Sequence, residues 1–409
     1  MRIAYVNYGD QSGVTPNLAK SLVALGHDVV RVDPTGVLAL RNPRTRRPRP
    51  TPRVLMSLAA SALRHGQQLI HHRWNTVYAF EQHSKRAGAL LAGLAEPPDV
   101  VLQNGALFAP GRPPRFPYVL LLDNTCLLAE RQPPVPEADI GRHIAFGRAW
   151  LARERETYLQ AIAVATFSNV VRDSLIRDYD VDPKRVHVVG AGANVVPERE
   201  PQHADDGRTL LFVGTAGWRR KGGPVLLKAF ELLRQSRPDV HLVLAGPTEN
   251  LELPEGVTNA GHVPFEEVKR LLSAATIFVL PTLREPFGIA FLDAMLCKVP
   301  CIGTQVGAVP EILGAAGVCV PPANVDALAQ AIAGLLDDPQ RRAAMAEAGR
   351  LRVLERGYLW PEVGKRLEAI LSSASTPQAR GVVGSLPLKT NRGLQPGCEP
   401  RAPALANNP

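Results

Sequence analysis

Residues 284–295 read "REPFGIAFLDAM" and are followed by "LCKVPCIGT" at 296–304. A strand, "TIFVLPT", precedes them, so the pattern predicts a strand, a loop and a helix that begins near Phe287 or Gly288. The free N–H groups of such a helix start suit an anion or the oxygens of a sugar. Two acids, Glu285 and Asp293, stand eight positions apart, and Asp293 lies in an otherwise apolar helix. A buried acid needs a partner, so the segment predicts a ligand site.

A second segment, "LLFVGTAGWRRKGGPVLLKAF" at 210–230, has the same strand, loop and helix order. Its loop carries Arg219, Arg220 and Lys221. Cations at the mouth of such a unit are suited to neutralising a diphosphate, since arginine offers a planar fork of donors and lysine a compact charge. The loop lacks the G-x4-G-K-[ST] order of a Walker loop. Together with the acid pair, it predicts a phosphate-binding site in the second half of the chain.

Strands and helices alternate along both halves, which predicts an α/β protein with two doubly wound, Rossmann-like domains that face a central cleft. A length of 409 residues also favours two domains. We expect the boundaries to fall at 1–196 for the first domain, 197–208 for a polar linker and 209–355 for the second. Residues 356–374 would form a last helix, and 375–409 a disordered tail. Among the helices, one is predicted around 54–72 and a long one over 143–163.

The formal charge of +9 has its densest source at 41–53, where six arginines occur without an acid. Two interpretations stay open. The segment is either a solvated, proline-rich loop or a clamp for lipid phosphates or an anionic acceptor, which would give peripheral membrane contact through Arg41–Arg53. No aromatic residues alternate with the arginines, so specific nucleic-acid binding is not predicted. No apolar run is long enough for a membrane helix, and the first residues lack a secretory profile, which predicts a cytoplasmic location.

No metal site is predicted. Cys297 and Cys301 have C-x3-C spacing, but no second Cys/His pair completes a ligand set. A D-x-D sequence at a strand end is also missing.

The segments "FVG…RRKGGPVLLKAF", "VLAGP", "GHV" and "FVLPTLREPFGIAFLDAMLCKVPCIGTQVGAVPEIL" resemble retaining glycosyltransferases with two Rossmann-like domains, the GT-B group 1 enzymes. The resemblance covers roughly residues 1 to 372 and is strongest over 209–313. The E-x7-E signature of that family appears here as E-x7-D. The resemblance implies a nucleotide-diphosphate sugar as donor substrate and requires neither a cofactor nor a bound metal.

The same resemblance implies residue roles. Glu285 would contact the hydroxyls of the donor sugar, and Asp293 would hold the ribose. Lys221, with Arg219 or Arg220, would bind the diphosphate. The backbone at Phe287, Gly288 and Ile289 would line the sugar-phosphate pocket. Val263 would lie near the base, and Gly13 would border the acceptor and the phosphate.

Three departures from the family pattern stand out. Asp293 is one methylene shorter than the usual Glu, and Thr215 stands directly after "VG", where an arginine is common. Many members carry a histidine at the end of a first-domain strand. Here "LLLDNTC" makes Asp123 the candidate for that place, with Asn124 and Thr125 nearby.

The implied activity is transfer of a hexosyl group to an acceptor hydroxyl with retained anomeric configuration, in the synthesis of a bacterial glycan, glycolipid or polysaccharide. Two alternatives stay open: an inactive relative that binds a nucleotide or glycan, and a nucleotide-sugar epimerase of the same fold. A basic module that docks polyanions through 41–53 is a further rival. The donor nucleotide, the sugar and the acceptor are not specified by the sequence.

Overall fold

The computed structural model describes residues 1–41, 47–48, 50–66, 69–70, 72–132, 146–199, 205–214, 217–248 and 251–376. The first half is a six-stranded sheet in the order β2-β1-β3-β4-β5-β6, with every neighbouring pair parallel. Its strands are β1 Arg2–Val6, β2 Asp28–Val32, β3 Val100–Asn104, β4 Tyr118–Leu122, β5 Ala163–Thr166 and β6 Val186–Val188. Its helices are α1 Val14–Ala24, α2 Pro52–His65, α3 Val77–Ala92, α4 Cys126–Arg131, α5 Arg148–Gln160 and α6 Asn169–Tyr179.

The second half is another parallel six-stranded sheet, in the order β12-β11-β10-β7-β8-β9. Its strands are β7 Thr209–Val213, β8 His241–Ala245, β9 Val257–Gly261, β10 Ile277–Val279, β11 Cys301–Thr304 and β12 Val318–Val320. The helices that follow are α7 Gly223–Ser236, α8 Phe265–Ala274, α9 Ile289–Leu296, α10 Val309–Leu313, α11 Val325–Leu336, α12 Pro339–Glu355 and α13 Trp360–Ala374. The predicted pair of doubly wound α/β halves is confirmed.

Both sheets have helices on their two faces, which explains the continuous apolar runs in the strands. All five residues of β3 and of β4 are buried, as expected for strands covered on both sides. Each sheet also reverses its strand order once, between β1 and β3 and between β7 and β10. Ligands of open α/β sheets bind outside the carboxyl ends of the strands at such a reversal. The loops that follow β7 and β10 are those of the basic segment and of Glu285.

The chain passes between the two halves twice, and the two passages run side by side. The N–H of Ala193, in the first passage, donates a hydrogen bond to the carbonyl of Tyr358, in the second passage, at 3.0 Å. After this return, α13 packs against α1 of the first half. The approach is close, because a Cβ added at Gly364 would lie 2.9 Å from the Cβ of Ser21.

Several predicted elements have different bounds. The helix predicted over 143–163 begins at Arg148 and ends at Gln160, with 143–145 outside the described residues. The helix predicted around 54–72 ends at His65, because Gly66 takes a positive φ of 55°. Residues 377–409 of the expected tail and 200–204 of the expected linker are likewise outside the described residues.

The 16-residue helix α3 was not predicted. Its buried face carries Ala79, His83, Ser84 and Ala87 beside a single large apolar side chain, Phe80, in its first turns. Small and polar residues on the buried face give little hydrophobic periodicity, which is the signal that sequence analysis depends on.

Candidate functional site

The basic loop after β7 lies directly against the loop after β10. Gly222 makes this contact possible: its φ is 79°, and a Cβ there would lie 1.9 Å from the carbonyl oxygen of Pro281. The N–H of Leu283 donates to the carbonyl of Arg220 at 2.9 Å, so the two loops are also joined by a backbone hydrogen bond. The two loops are distant in sequence, so short-range patterns do not predict their contact. The contact results from the reversal in strand order, which makes β7 and β10 neighbours.

The carboxylate of Glu285 lies between Lys221 and Arg220, and we call these three residues the cationic cluster. Lys221 Nζ forms a short ion pair with Glu285 Oε2, and Arg220 reaches the same oxygen at 3.9 Å. Arg220 is held in place by a 2.6 Å hydrogen bond to the carbonyl of Arg284. Glu285 is only 7% exposed. Burial would raise the pKa of this carboxyl, but the charges of Lys221 and Arg220 outweigh it and hold the pKa below its usual range.

The helix start that follows Glu285 has the predicted form. Gly288 precedes α9 with φ of 108°, and Ile289 is the first helical residue. The N–H of Phe287 helps to lower the pKa of the Glu285 carboxyl. The side chain of Phe287, by contrast, is buried and packs edge-on against Phe167 of the first half, with 5.5 Å between ring centroids. This aromatic contact joins the two halves next to the acid.

Asp123 lies at the end of β4, in the first half, and faces the cluster from across the cleft. Its side chain is exposed to the solvent of the cleft. Partial desolvation by the surrounding protein, and then the negative charge of Glu285, raise the pKa of Asp123 to about 6, while Arg220 opposes the rise. The structure therefore brings Asp123 into the same electrostatic site as Glu285 and Arg220.

Asp293 has protein partners in the passage between the halves. Its Oδ1 accepts the N–H groups of Asn194, at 2.7 Å, and Val195, at 2.9 Å. Burial raises its pKa to about 7, and these two hydrogen bonds limit the rise. No described residue donates a hydrogen bond to Oδ2, so only one oxygen of the carboxylate is engaged with the passage.

Asn194 is a site residue that the sequence analysis missed. Its side chain accepts hydrogen bonds from Asn17 of α1, at 3.0 Å, and from the indole of Trp360, at 3.1 Å. It donates to the carbonyl of Ser12 at 2.8 Å, and Gly13, the residue before α1, lies against it. Asn194 thus links Asp293 to the loop before α1 and to α13. Nothing in "GAGANVV" indicates this, because all four partners are distant in sequence.

Two predicted residues lie apart from the cationic cluster around Glu285. The side chain of Arg219 is exposed, and among the three basic residues it is Arg220 and Lys221 that meet Glu285. Val263 follows β9 and is half-buried against the core of the second half. Thr215, noted as a departure from the family pattern, lies outside the described residues.

A cavity of about 230 Å³ lies between the halves beside the Glu285 loop. Asn124, Leu128 and Val170 line it from the first half, and Pro286 and Gly307 line it from the second. The wall at α4 is tied to the second half by Arg284, whose guanidinium donates to the carbonyl of Ala129 at 2.5 Å. Arg284 is also a residue that the sequence analysis missed, although it directly precedes Glu285.

In the described ranges, no three His, Cys, Asp or Glu side chains gather as they would around a metal ion. Over the same ranges, no helix combines the length and apolar character needed to cross a bilayer.

Solved structures of known proteins share this architecture. Sucrose-phosphate synthase from Thermosynechococcus elongatus superposes with a TM-score of 0.66 at 20% identity, over 91% of this chain and 98% of that one. Anabaena Alr3699/HepE, in complex with UDP and glucose, gives 0.62 at 15% identity over 91% and 100%. WaaG, a glycosyltransferase involved in lipopolysaccharide biosynthesis, gives 0.62 at 16% identity over 90% and 99%. The likeness shows that the fold is GT-B.

A family model matches part of the chain. Residues 197–352 match the model of the family Glycosyl transferases group 1. MMP alpha-(1->4)-mannosyltransferase of Mycolicibacterium hassiacum is 30% identical over 222 residues, which are 51% of this chain and 53% of the relative. Alpha-maltose-1-phosphate synthase of Mycolicibacterium smegmatis is 30% identical over 259 residues, 54% of this chain and 66% of the relative. The chain thus spans between half and two thirds of the length of these relatives.

Proposed function

We propose that the protein is a retaining glycosyltransferase that moves a hexosyl group from a nucleotide-diphosphate sugar to an acceptor hydroxyl, in the synthesis of a bacterial glycan, glycolipid or polysaccharide. One observation carries the proposal: Lys221 and Arg220 converge on Glu285 at the strand reversal of the second sheet and face Asp123 across the cleft. Relatives named as a mannosyltransferase and a synthase support it, as does a solved structure of the same fold with UDP and glucose.

The chemistry that this cluster suits is departure of a diphosphate. The bond between the donor sugar and its diphosphate breaks through a transition state with oxocarbenium character, and negative charge grows on the departing diphosphate. Lys221 and Arg220 are preorganised to stabilise that charge inside a cleft from which closure removes water. Glu285 keeps both cations fixed before the donor binds, and its free oxygen would accept hydrogen bonds from hydroxyls of the sugar.

The other site residues complete the donor site. Asp123 would meet the sugar from the first half, and Oδ2 of Asp293 would accept a ribose hydroxyl while Oδ1 keeps the passage between the halves in place. Arg219, Val263 and Gly13 would border the donor at its periphery. No cofactor is required by this scheme, because the nucleotide sugar is itself a substrate.

The test is release of nucleoside diphosphate from a panel of UDP-, GDP- and ADP-sugars, with the anomeric configuration of the product read by NMR. We expect Lys221→Met and Glu285→Gln to lower turnover about a hundredfold or more, while both variants still unfold in a cooperative thermal transition. Lys184→Met, at an exposed position of the first half, is the matched control. A wild-type protein that binds a nucleotide sugar but releases no diphosphate would contradict the proposal in favour of the inactive binding relative.

A further inference from the structure

The helix α2 has an inverted pattern of polarity. The positions that it buries against the protein are Val54, Ser57 and Ser61. Its opposite side presents Leu55, Met56 and Leu63 to solvent, with exposed fractions of 55%, 57% and 91%. A surface helix normally buries its apolar side chains and exposes its polar ones. Here the large apolar side chains face outward.

The orientation of α2 is fixed by the buried serines. Ser61 Oγ donates to the carbonyl of Leu69 at 2.7 Å, and Ser57 Oγ donates to the carbonyl of Arg73 at 3.4 Å. Rotating the helix to bury Leu63 would expose these serines and break both hydrogen bonds. The outward apolar face, which we call the α2 face, is therefore a property of the folded domain.

The α2 face lies in the most basic part of the chain. Residues 34–80 contain eight arginines and no acidic residue, whereas the whole chain has a formal charge of +9. Almost all of the excess positive charge is therefore concentrated in this segment. On α2 itself, Arg53 and Arg64 are exposed. They are 11 residues apart, which is about three helical turns, so they lie along the same flank of the apolar face.

We propose that the α2 face docks on the surface of an anionic lipid bilayer. Exposed apolar side chains flanked by arginines match the two layers of such a surface, since the apolar groups enter the acyl boundary and the guanidinium groups meet lipid phosphates. Charge complementarity selects this occupant over a second copy of the chain, because two copies would bring the same arginines together. It also explains why no acid occurs in the segment.

The position of the α2 face deepens the proposed function, on which the following step rests. The segment after α2 carries Trp74, whose ring packs edge-on against Tyr8 with 6.4 Å between centroids. Tyr8 follows β1 and Asp123 follows β4, so both residues lie at the carboxyl edge of the first sheet, which borders the cleft. A docked α2 would hold the cleft beside the bilayer, so the acceptor class that fits is a hydroxyl carried on a lipid.

Docking is tested by co-sedimentation of the full chain with vesicles of phosphatidylglycerol and of phosphatidylcholine. We expect binding to the anionic vesicles alone, and weaker binding at high salt. The triple change Leu55→Ser, Met56→Ser, Leu63→Ser should weaken partitioning at least tenfold. The matched control changes three exposed apolar residues elsewhere, Val23→Ser, Leu351→Ser and Leu354→Ser, and should bind as the wild type does.

A second variant guards against loss of folding. Arg53→Gln with Arg64→Gln changes only exposed polar positions and should weaken partitioning about fivefold for each arginine, whereas Arg341→Gln with Arg356→Gln should not. Equal vesicle binding by wild type and the triple serine variant would overturn the proposal. So would a wild type that ignores anionic vesicles but self-associates through the α2 face, with the triple variant monomeric. If the protein docks on anionic vesicles but has no transferase activity, the proposed function is rejected and the docking proposal stands.

Discussion

Glu311, in the first turn of α10, accepts three hydrogen bonds from Asn169, the first residue of α6. The backbone N–H of Asn169 lies 2.9 and 3.2 Å from its two oxygens, and Nδ2 lies 2.7 Å from Oε1. The carboxylate belongs to the second half and the helix start to the first. A negative charge at a helix amino terminus is favourable, so the contact stabilises the closed arrangement of the two halves.

Glu311→Ala is expected to favour an open cleft. Charge-assisted hydrogen bonds are each worth about 1.5 to 3 kcal/mol, so their loss should shift the closure equilibrium by tenfold or more. We expect a larger radius of gyration in small-angle X-ray scattering and a kcat/KM lowered about tenfold. Glu355→Ala, at an exposed position of α12, is the control. An unchanged radius and unchanged kinetics would show that this contact does not govern closure.

Asp293→Asn is expected to flatten the dependence of stability on pH. The folded pKa of Asp293, about 7, lies above its ordinary value of 3.8. Between these values the folded protein keeps a proton that the unfolded chain releases, so stability from this group is present below pH 3.8 and is lost as pH rises toward 7. The full loss is on the order of 4 kcal/mol.

Asparagine keeps an acceptor oxygen for Asn194 and Val195 but does not ionise. The thermal midpoint of the variant should therefore fall less than that of wild type between pH 5 and pH 8. Asp326→Asn, at an exposed position of α11, serves for comparison. Parallel midpoint curves for wild type and Asp293→Asn would mean that the acid does not titrate in this range.

Turnover should fall as Asp123 gains a proton. Its pKa of about 6 is raised, so the side chain is ionised above pH 6 and neutral below it. The pKa of Glu285 is lowered, and this acid stays charged through the same range. We therefore assign to Asp123 a decline of kcat/KM below about pH 6. Asp123→Asn should lower activity at pH 7.5 and remove that inflection, which a full pH profile would reveal; an inflection kept by the variant would assign it to another group.

Gly307→Ala and Gly334→Ala should have opposite effects. Gly307 has φ of 55°, and a Cβ there would lie 1.8 Å from the carbonyl oxygen of Glu285, so the loop that carries the acid must move. We expect a midpoint lowered by several degrees and turnover lowered at least tenfold. Gly334 lies inside α11 with nothing within 4 Å of an added Cβ, and alanine there should stabilise by about 0.5 to 1 kcal/mol. Equal midpoints would contradict both arguments.

The sequence predicted best those parts of the site that are formed by one continuous segment of the chain. The strand, loop and helix around Glu285 and the basic loop with Lys221 were both predicted as phosphate- or sugar-facing units, and the α/β architecture follows from alternating patterns. The mutual contact of the two loops, by contrast, depends on the strand order of the second sheet. Likewise the partners of Asp293 and the role of Asn194 depend on the two passages between the halves, which no short-range pattern records.

The paired passages at Ala193 and Tyr358 also constrain how the cleft can move. Two adjacent chain segments joined by a backbone hydrogen bond form a narrow hinge. Such a connection permits rotation about the line of the pair but resists sliding of one half along the other. We therefore expect the cleft to open by rotation about this line, which would return Asp123 to the same register with the cations of the opposite half at each closure.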